Sequence, residues 1–132
     1  VNGRLLFDAS SLLYALKLKN PRILYNYIRW LTIYEVTNAL WKEASLLGTM
    51  SLSEAERIIE FFVRTVEFMR LLTPHPHEGE VLTIADRLGI SAYDASYVFL
   101  AERMGLTLVT EDRKLRGRAE RLIDVVSLDE IT

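Results

Sequence analysis

Four acidic residues stand where they could act together: Asp8 after the apolar run Leu5-Leu6-Phe7, Glu35 among Leu31, Ile33, Tyr34, Val36 and Leu40, Asp94 three residues after Ser91, and Asp112 just after Leu108-Val109-Thr110. Singly, each has an ordinary explanation. An acid in a first helical turn is favoured by the helix dipole, and a glutamate on a helix commonly faces solvent. Four ionised carboxylates sharing one cleft would repel one another until a proton or a cation relieved the charge. The chain has no cysteine and only two histidines, His75 and His77, which flank Pro76 in a loop, so any metal must be held by oxygen. That donor set suits Mg²⁺ or Mn²⁺, hard cations that keep waters and leave room for a phosphate. Thiolate nucleophiles, zinc fingers and iron–sulfur clusters are excluded, and without a Walker A segment or a GxGxxG a nucleotide-cradling loop is not expected.

The elements that must position these acids can be read from the spacing of apolar residues. Residues 4–7 predict a strand, residues 12–18 a helix that Asn20-Pro21 interrupts, and residues 31–47 a second helix carrying Glu35 and Asn38, stopped by Gly48. In Ser51-Leu52-Ser53-Glu54-Ala55-Glu56 either serine can cap and either glutamate can sit three residues later, opening a long amphipathic helix to about Leu72. The segment 73–77 is a proline-rich break. Helices over 80–88 and 91–104 follow, closed by Gly89 and Gly105, and residues 106–110 and 123–127 are β-prone. Strands separated by helices predict an α/β fold with a parallel sheet, and open sheets of that kind bind ligands at the carboxyl ends of their strands. Asp8, Thr110 and Asp112 fall at such ends.

Composition bounds the rest. A chain of 132 residues with 50% hydrophobic residues can build one core, so a single domain over 1–132 is expected. No apolar stretch reaches a membrane span and no leader pattern opens the chain, which predicts a soluble, cytoplasmic protein. Glutamine is absent while Glu, Lys and Arg abound, a bias found where thermolabile side chains are avoided. The net charge of −2 gives no global attraction to nucleic acid, but Arg113, Lys114, Arg116, Arg118 and Arg121 form a dense basic run directly after Asp112. A solvated surface and a contact to an RNA backbone explain that run equally well. Tyr93, Tyr97 and Phe99 are spaced for packing. Phe61, Phe62, Val66 and Met69 read as core or dimer-face residues.

The order of the acids, taken with Leu5-Leu6-Phe7-Asp8-Ala9-Ser10, Ile33-Tyr34-Glu35-Val36-Thr37-Asn38, Ser91-Ala92-Tyr93-Asp94-Ala95-Ser96-Tyr97 and Leu108-Val109-Thr110-Glu111-Asp112-Arg113, resembles the PIN-domain nucleases, in particular VapC-type ribonuclease toxins. The resemblance runs over essentially the whole chain. It implies a three-layer α/β fold with a central, mostly parallel sheet flanked by helices. Asp8, Glu35, Asp94 and Asp112 would be the catalytic and metal-binding acids, with Ser10, Asn38 and Thr110 supporting them. The implied activity is metal-dependent hydrolysis of RNA with Mg²⁺ or Mn²⁺ as cofactor, and the implied partners are a small VapB-like antitoxin and a second copy in a homodimer. The stretch between Asn20 and Glu35 is shorter than in many members. Aspartyl-phosphate phosphohydrolases also place an aspartate after the first strand, but need a second acid where this chain has Ser10. The non-enzyme alternative is a catalytically silent PIN-like module that binds protein or RNA.

Overall fold

Three leucine-rich residues and the alternation of their side chains set the architecture. In β1 (Leu5–Phe7) every side chain is buried, and successive residues face opposite sides of the strand: Leu6 packs into one apolar cluster, Leu5 and Phe7 into another. A strand buried on both faces requires helices on both faces. The computed structural model, which describes residues 4–131, meets that requirement, and residues 1–3 and 132 of the expected 1–132 domain lie outside the described residues.

In chain order the further elements are α1 (Ala9–Leu18), β2 (Tyr27–Arg29), α2 (Thr32–Trp41), α3 (Leu52–Val66), β3 (Arg70–Leu72), α4 (Glu78–Leu88), α5 (Ala92–Met104), β4 (Thr107–Val109), α6 (Arg113–Ala119) and β5 (Val125–Val126). The strands form one sheet in the order β3-β2-β1-β4-β5, and every pairing is parallel. On one face Leu6, Tyr27, Leu108 and Val125 pack with Val81 and Ile84 of α4 and Val98 of α5; on the other Leu5, Phe7, Ile28 and Val109 pack with Leu12, Val36 and Phe62. The expected three-layer α/β arrangement is therefore present. Among the described residues no helix is long and apolar enough to cross a membrane.

Two of the five strands were not expected from the sequence. The helix expected to run to Leu72 ends at Val66, a turn follows, and Arg70–Leu72 pairs with β2 as the edge strand. Its apolar residues suit a half-covered edge as well as a helix face, so periodicity alone did not separate the two. β2 was hidden for another reason: its buried positions include Arg29, a residue that sequence alone places on the surface. Upstream of β2 the buried Asn26 ties it to β1, its Oδ1 accepting from Leu5 N (2.9 Å) and its Nδ2 donating to Arg22 O (2.7 Å).

At the start of α3 the structure chooses between the two possible caps: Ser51 and Glu54 form a reciprocal capping box. The expected helix over 31–47 is an α-helix to Trp41 followed by a wider π-helical turn, Lys42–Leu47, which Gly48 ends at φ 66°.

Candidate active site

The chain leaves β1 and β4 side by side, because β1 is the strand from which the sheet extends in one direction to β2 and β3 and in the other to β4 and β5. Such a reversal opens a crevice at the carboxyl ends of the two strands. Asp8 stands at the end of β1 and N-caps α1. Its Oδ1 accepts from Ser11 N (2.9 Å) and Ser10 Oγ (2.7 Å), and its Oδ2 accepts from the hydroxyl of Thr110, the residue that follows β4. The carboxyl is buried, and burial pushes its pKa above the ordinary value against the opposing pull of these donors.

Ser10 and Thr110 also reach the second strand's loop. Ser10 Oγ accepts from Glu111 N (3.0 Å) and Thr110 Oγ1 from Asp112 N (3.1 Å), so two hydroxyls fasten the β4–α6 turn to Asp8. Asp112 in turn N-caps α6, its Oδ1 accepting from Lys114 N (3.0 Å) and Leu115 N (3.1 Å).

Asp94 lies in the first turn of α5, whose cap Ser91 accepts from Asp94 N (3.1 Å). Half-buried, it lines with Asp112 and Lys114 a cleft of about 260 Å³. Its carboxyl is raised above the usual range first by burial, then by the charges of Asp112, Asp8 and Glu35, with Arg29 pulling the other way. The four acids thus lie within electrostatic reach of one another, although they come from four separate elements.

Glu35 projects from the first turn of α2 into a network that sequence reasoning did not find. Its Oε1 accepts from Arg29 Nη2 (2.5 Å) and from Tyr97 Oη (2.7 Å). Arg29 also donates to Tyr93 O (2.6 Å) and to Ser96 Oγ, and its guanidinium lies 4.1 Å from the Tyr97 ring centroid. Burial raises the Tyr97 hydroxyl far above its ordinary pKa, so it acts as a donor. The packing expected for Tyr97 is present, but its hydroxyl also serves the site. The one available signal was a basic residue inside Tyr27-Ile28-Arg29, six positions before Glu35.

Other expected residues fall elsewhere. Asn38 is exposed, and its side chain makes no hydrogen bond among the described residues, so the support expected from it is not drawn into the network. Within the basic run, Arg116 pairs with Glu120 (2.9 Å) and with Glu130, and Arg118 donates to Leu88 O (3.1 Å) and Gly89 O (2.7 Å). Arg121 lines a separate cleft with Thr107 at the start of β4. Arg113 and Lys114 are the two exposed cations beside Asp112. His75 is exposed and paired with Glu78 (2.6 Å), away from the acids.

Among the described residues no three Asp, Glu or His side chains are gathered closely enough to hold a metal ion. The donor chemistry nevertheless fits a hard dication. All four acids offer oxygen, and the repulsion felt by Asp94 is what a dication would relieve.

A parallel sheet between two helical layers, with Asp8 and the Asp112 turn linked through Thr110 at the ends of its central strands, defines an α/β class of fold, and comparison with known proteins makes the class specific. The chain belongs to the PIN domain family, whose sequence profile matches residues 5–121. It is 43% identical to Exonuclease VapC9 of Pyrobaculum aerophilum over 74% of this chain and 70% of that protein, and 38% identical to Ribonuclease VapC3 of the same organism over 70% of each. The crystal structure of PAE2754 from Pyrobaculum aerophilum superposes with a TM-score of 0.80 at 34% identity, covering 97% of this chain and 92% of that one. DNA-bound VapBC from Salmonella typhimurium shares the fold at a TM-score of 0.66 and 19% identity, over 94% of this chain and 97% of that chain.

Proposed function

We propose that this chain is a metal-dependent endoribonuclease, the toxin of a VapBC-type pair acting in the cytoplasm, with Asp8, Glu35, Asp94 and Asp112 as its acid site. The observation that carries this is the convergence at the β1/β4 crevice: Asp8 tied to Thr110, Thr110 to Asp112, and Asp94 repelled by the other three acids. The names of the two curated relatives support nuclease chemistry.

Asp8, Asp94 and Asp112 would hold Mg²⁺ or Mn²⁺ with the Glu35 carboxylate beside them, and Ser10 and Thr110 would fix the direction of Asp8 by donating to it. A bound dication would supply charge neutralisation at the phosphodiester and a lowered pKa for the attacking water. Arg113 and Lys114 would offset the negative field of the cleft and hold the RNA backbone, a role that the pairings of Arg116 and Arg118 make less available to those two.

A small antitoxin of the VapB type and a second copy of the chain are the proposed partners. For the dimer, the support comes from exposed large apolar side chains: Trp30, Tyr34, Trp41 and Leu82 are all more than half exposed, at 56%, 62%, 51% and 68%. Phe62 and Met69 do not contribute, because both are buried in the core. Light scattering at micromolar concentration should give twice the chain mass; the chain mass alone would remove the dimer.

The test of the function uses a circular single-stranded RNA, which only an endonuclease can open. Linear product should form with Mg²⁺ or Mn²⁺ and not with EDTA. One relative is named an exonuclease, so degradation of linear RNA with an intact circle would assign that mode instead. The separation of the carboxylates favours a second reading, the silent binding module. That module would neither open the circle nor gain thermal stability from Mn²⁺.

A further inference from the structure

Among the described residues Arg29 is the only buried basic side chain, 3% exposed. A guanidinium so placed is costly unless its charge is matched, and the match here is Glu35, bound at 2.5 Å by Nη2. The other contacts fix the guanidinium rather than neutralise it: Tyr93 O and Ser96 Oγ on α5, and the face of the Tyr97 ring. Its Nε is buried with no partner. Tyr97 donates to the same carboxylate oxygen as Arg29, which pins Glu35 between α2 and α5.

Asp8, Asp94 and Asp112 differ in kind. None forms an ion pair among the described residues; their partners are hydroxyl and backbone donors or their own like-charged neighbours, and Arg29 acts on Asp94 only as the smallest of the charge effects there. Three of the acids thus have no ion pair, and the fourth is already paired from within the chain through its Oε1.

We propose that Arg29 is a built-in counter-cation that withholds Glu35, so that a divalent ion at this site is held by the three aspartates. This rests on the acid site proposed above and divides its members. Glu35 then acts chiefly by keeping Arg29 paired and α2 joined to α5. Removing Arg29 frees a fourth carboxylate for the ion and also removes a cation that repels it, and both effects tighten binding.

Calorimetric titration of the whole protein with Mn²⁺ tests this without reference to cleavage. Asp94→Asn should weaken Mn²⁺ by about tenfold or more, because it removes a ligand, whereas Arg29→Met and Glu35→Gln together conserve the net charge and leave the three aspartates, and should keep the affinity within about threefold of wild type. Arg29→Met alone should tighten Mn²⁺ by about tenfold, so that adding Glu35→Gln to it costs about tenfold. A double variant that binds Mn²⁺ as weakly as Asp94→Asn would overturn the proposal, as would Arg29→Met leaving the affinity unchanged. If Arg29→Met alone does not fold, the comparison of the double variant with Asp94→Asn decides. A wild-type protein that binds no Mn²⁺ would overturn the acid site itself, an outcome distinct from the double variant matching Asp94→Asn.

Discussion

Thr110 donates its hydroxyl hydrogen to Asp8 Oδ2 across 102 positions of sequence while its oxygen accepts from Asp112 N at 3.1 Å. One side chain thus ties the acid after β1 to the acid after β4. Because Thr110 is 2% exposed, no water can replace either bond without rearrangement. Thr110→Val keeps the shape and deletes both interactions, leaving a buried carboxylate oxygen short of a donor. It should cost about 1–3 kcal/mol. Urea denaturation checks this: the midpoint should fall with the slope unchanged.

The charge on Asp94 destabilises the metal-free protein. Its carboxyl is raised by burial and by Asp112, Asp8 and Glu35, so the folded chain holds that proton more tightly than the unfolded chain, whose reference value is 3.8. Stability linked to the proton is complete below that value and is lost as pH rises through the higher folded one. Asp94→Asn should therefore melt above wild type at pH 7 in EDTA, and the gap should close as the pH falls toward 3.8. Added Mn²⁺ should reverse the order by stabilising only the wild type. A variant less stable than wild type at both pH values would contradict this.

The basic run separates into structural and available cations. Arg113→Ser with Lys114→Ser, in an Asp94→Asn background, should reduce the salt dependence of single-stranded RNA binding by about 1.4 in slope, roughly 0.7 for each phosphate that is no longer neutralised. Arg116→Ser should leave the slope unchanged. It should instead lower thermal stability, because Arg116 holds Glu130, whose pKa falls to about 2 in its company. A slope lowered by Arg116→Ser and untouched by the other pair would reverse the assignment.

Much of this was legible in the chain because the chemistry lies next to punctuation. Asp8, Asp94 and Asp112 each sit within a helix-start signal, and Asp8 and Asp112, both members of the proposed acid site, prove to be helix caps. The sheet's parallel character followed from strands alternating with helices. What escaped was β2, three residues long with an arginine facing inward, and with it the Arg29–Glu35–Tyr97 network. A buried ion pair leaves no period in the sequence: its partners are brought together only by tertiary packing of β2, α2 and α5. Asn38 misled in the opposite way, since one turn of helix from Glu35 is close in sequence but faces solvent here.

The capping box at the start of α3 gives a control remote from the acids. Ser51→Ala removes the acceptor for Glu54 N at 3.1 Å and should cost about 1 kcal/mol, with RNA cleavage per folded molecule unchanged. Activity falling further than the folded fraction would mean that α3 is coupled to the site.

Single-turnover cleavage of single-stranded RNA in Mn²⁺ by wild type, Asp8→Asn, Asp94→Asn and Asp112→Asn tests the central claim most directly. Losing even an outer partner of a metal ligand typically costs 10–100-fold, so each substitution should slow cleavage by about a hundredfold or more while circular dichroism reports an intact fold. Three folded variants cleaving at the wild-type rate would show that the acids at the β1/β4 crevice are not the active site.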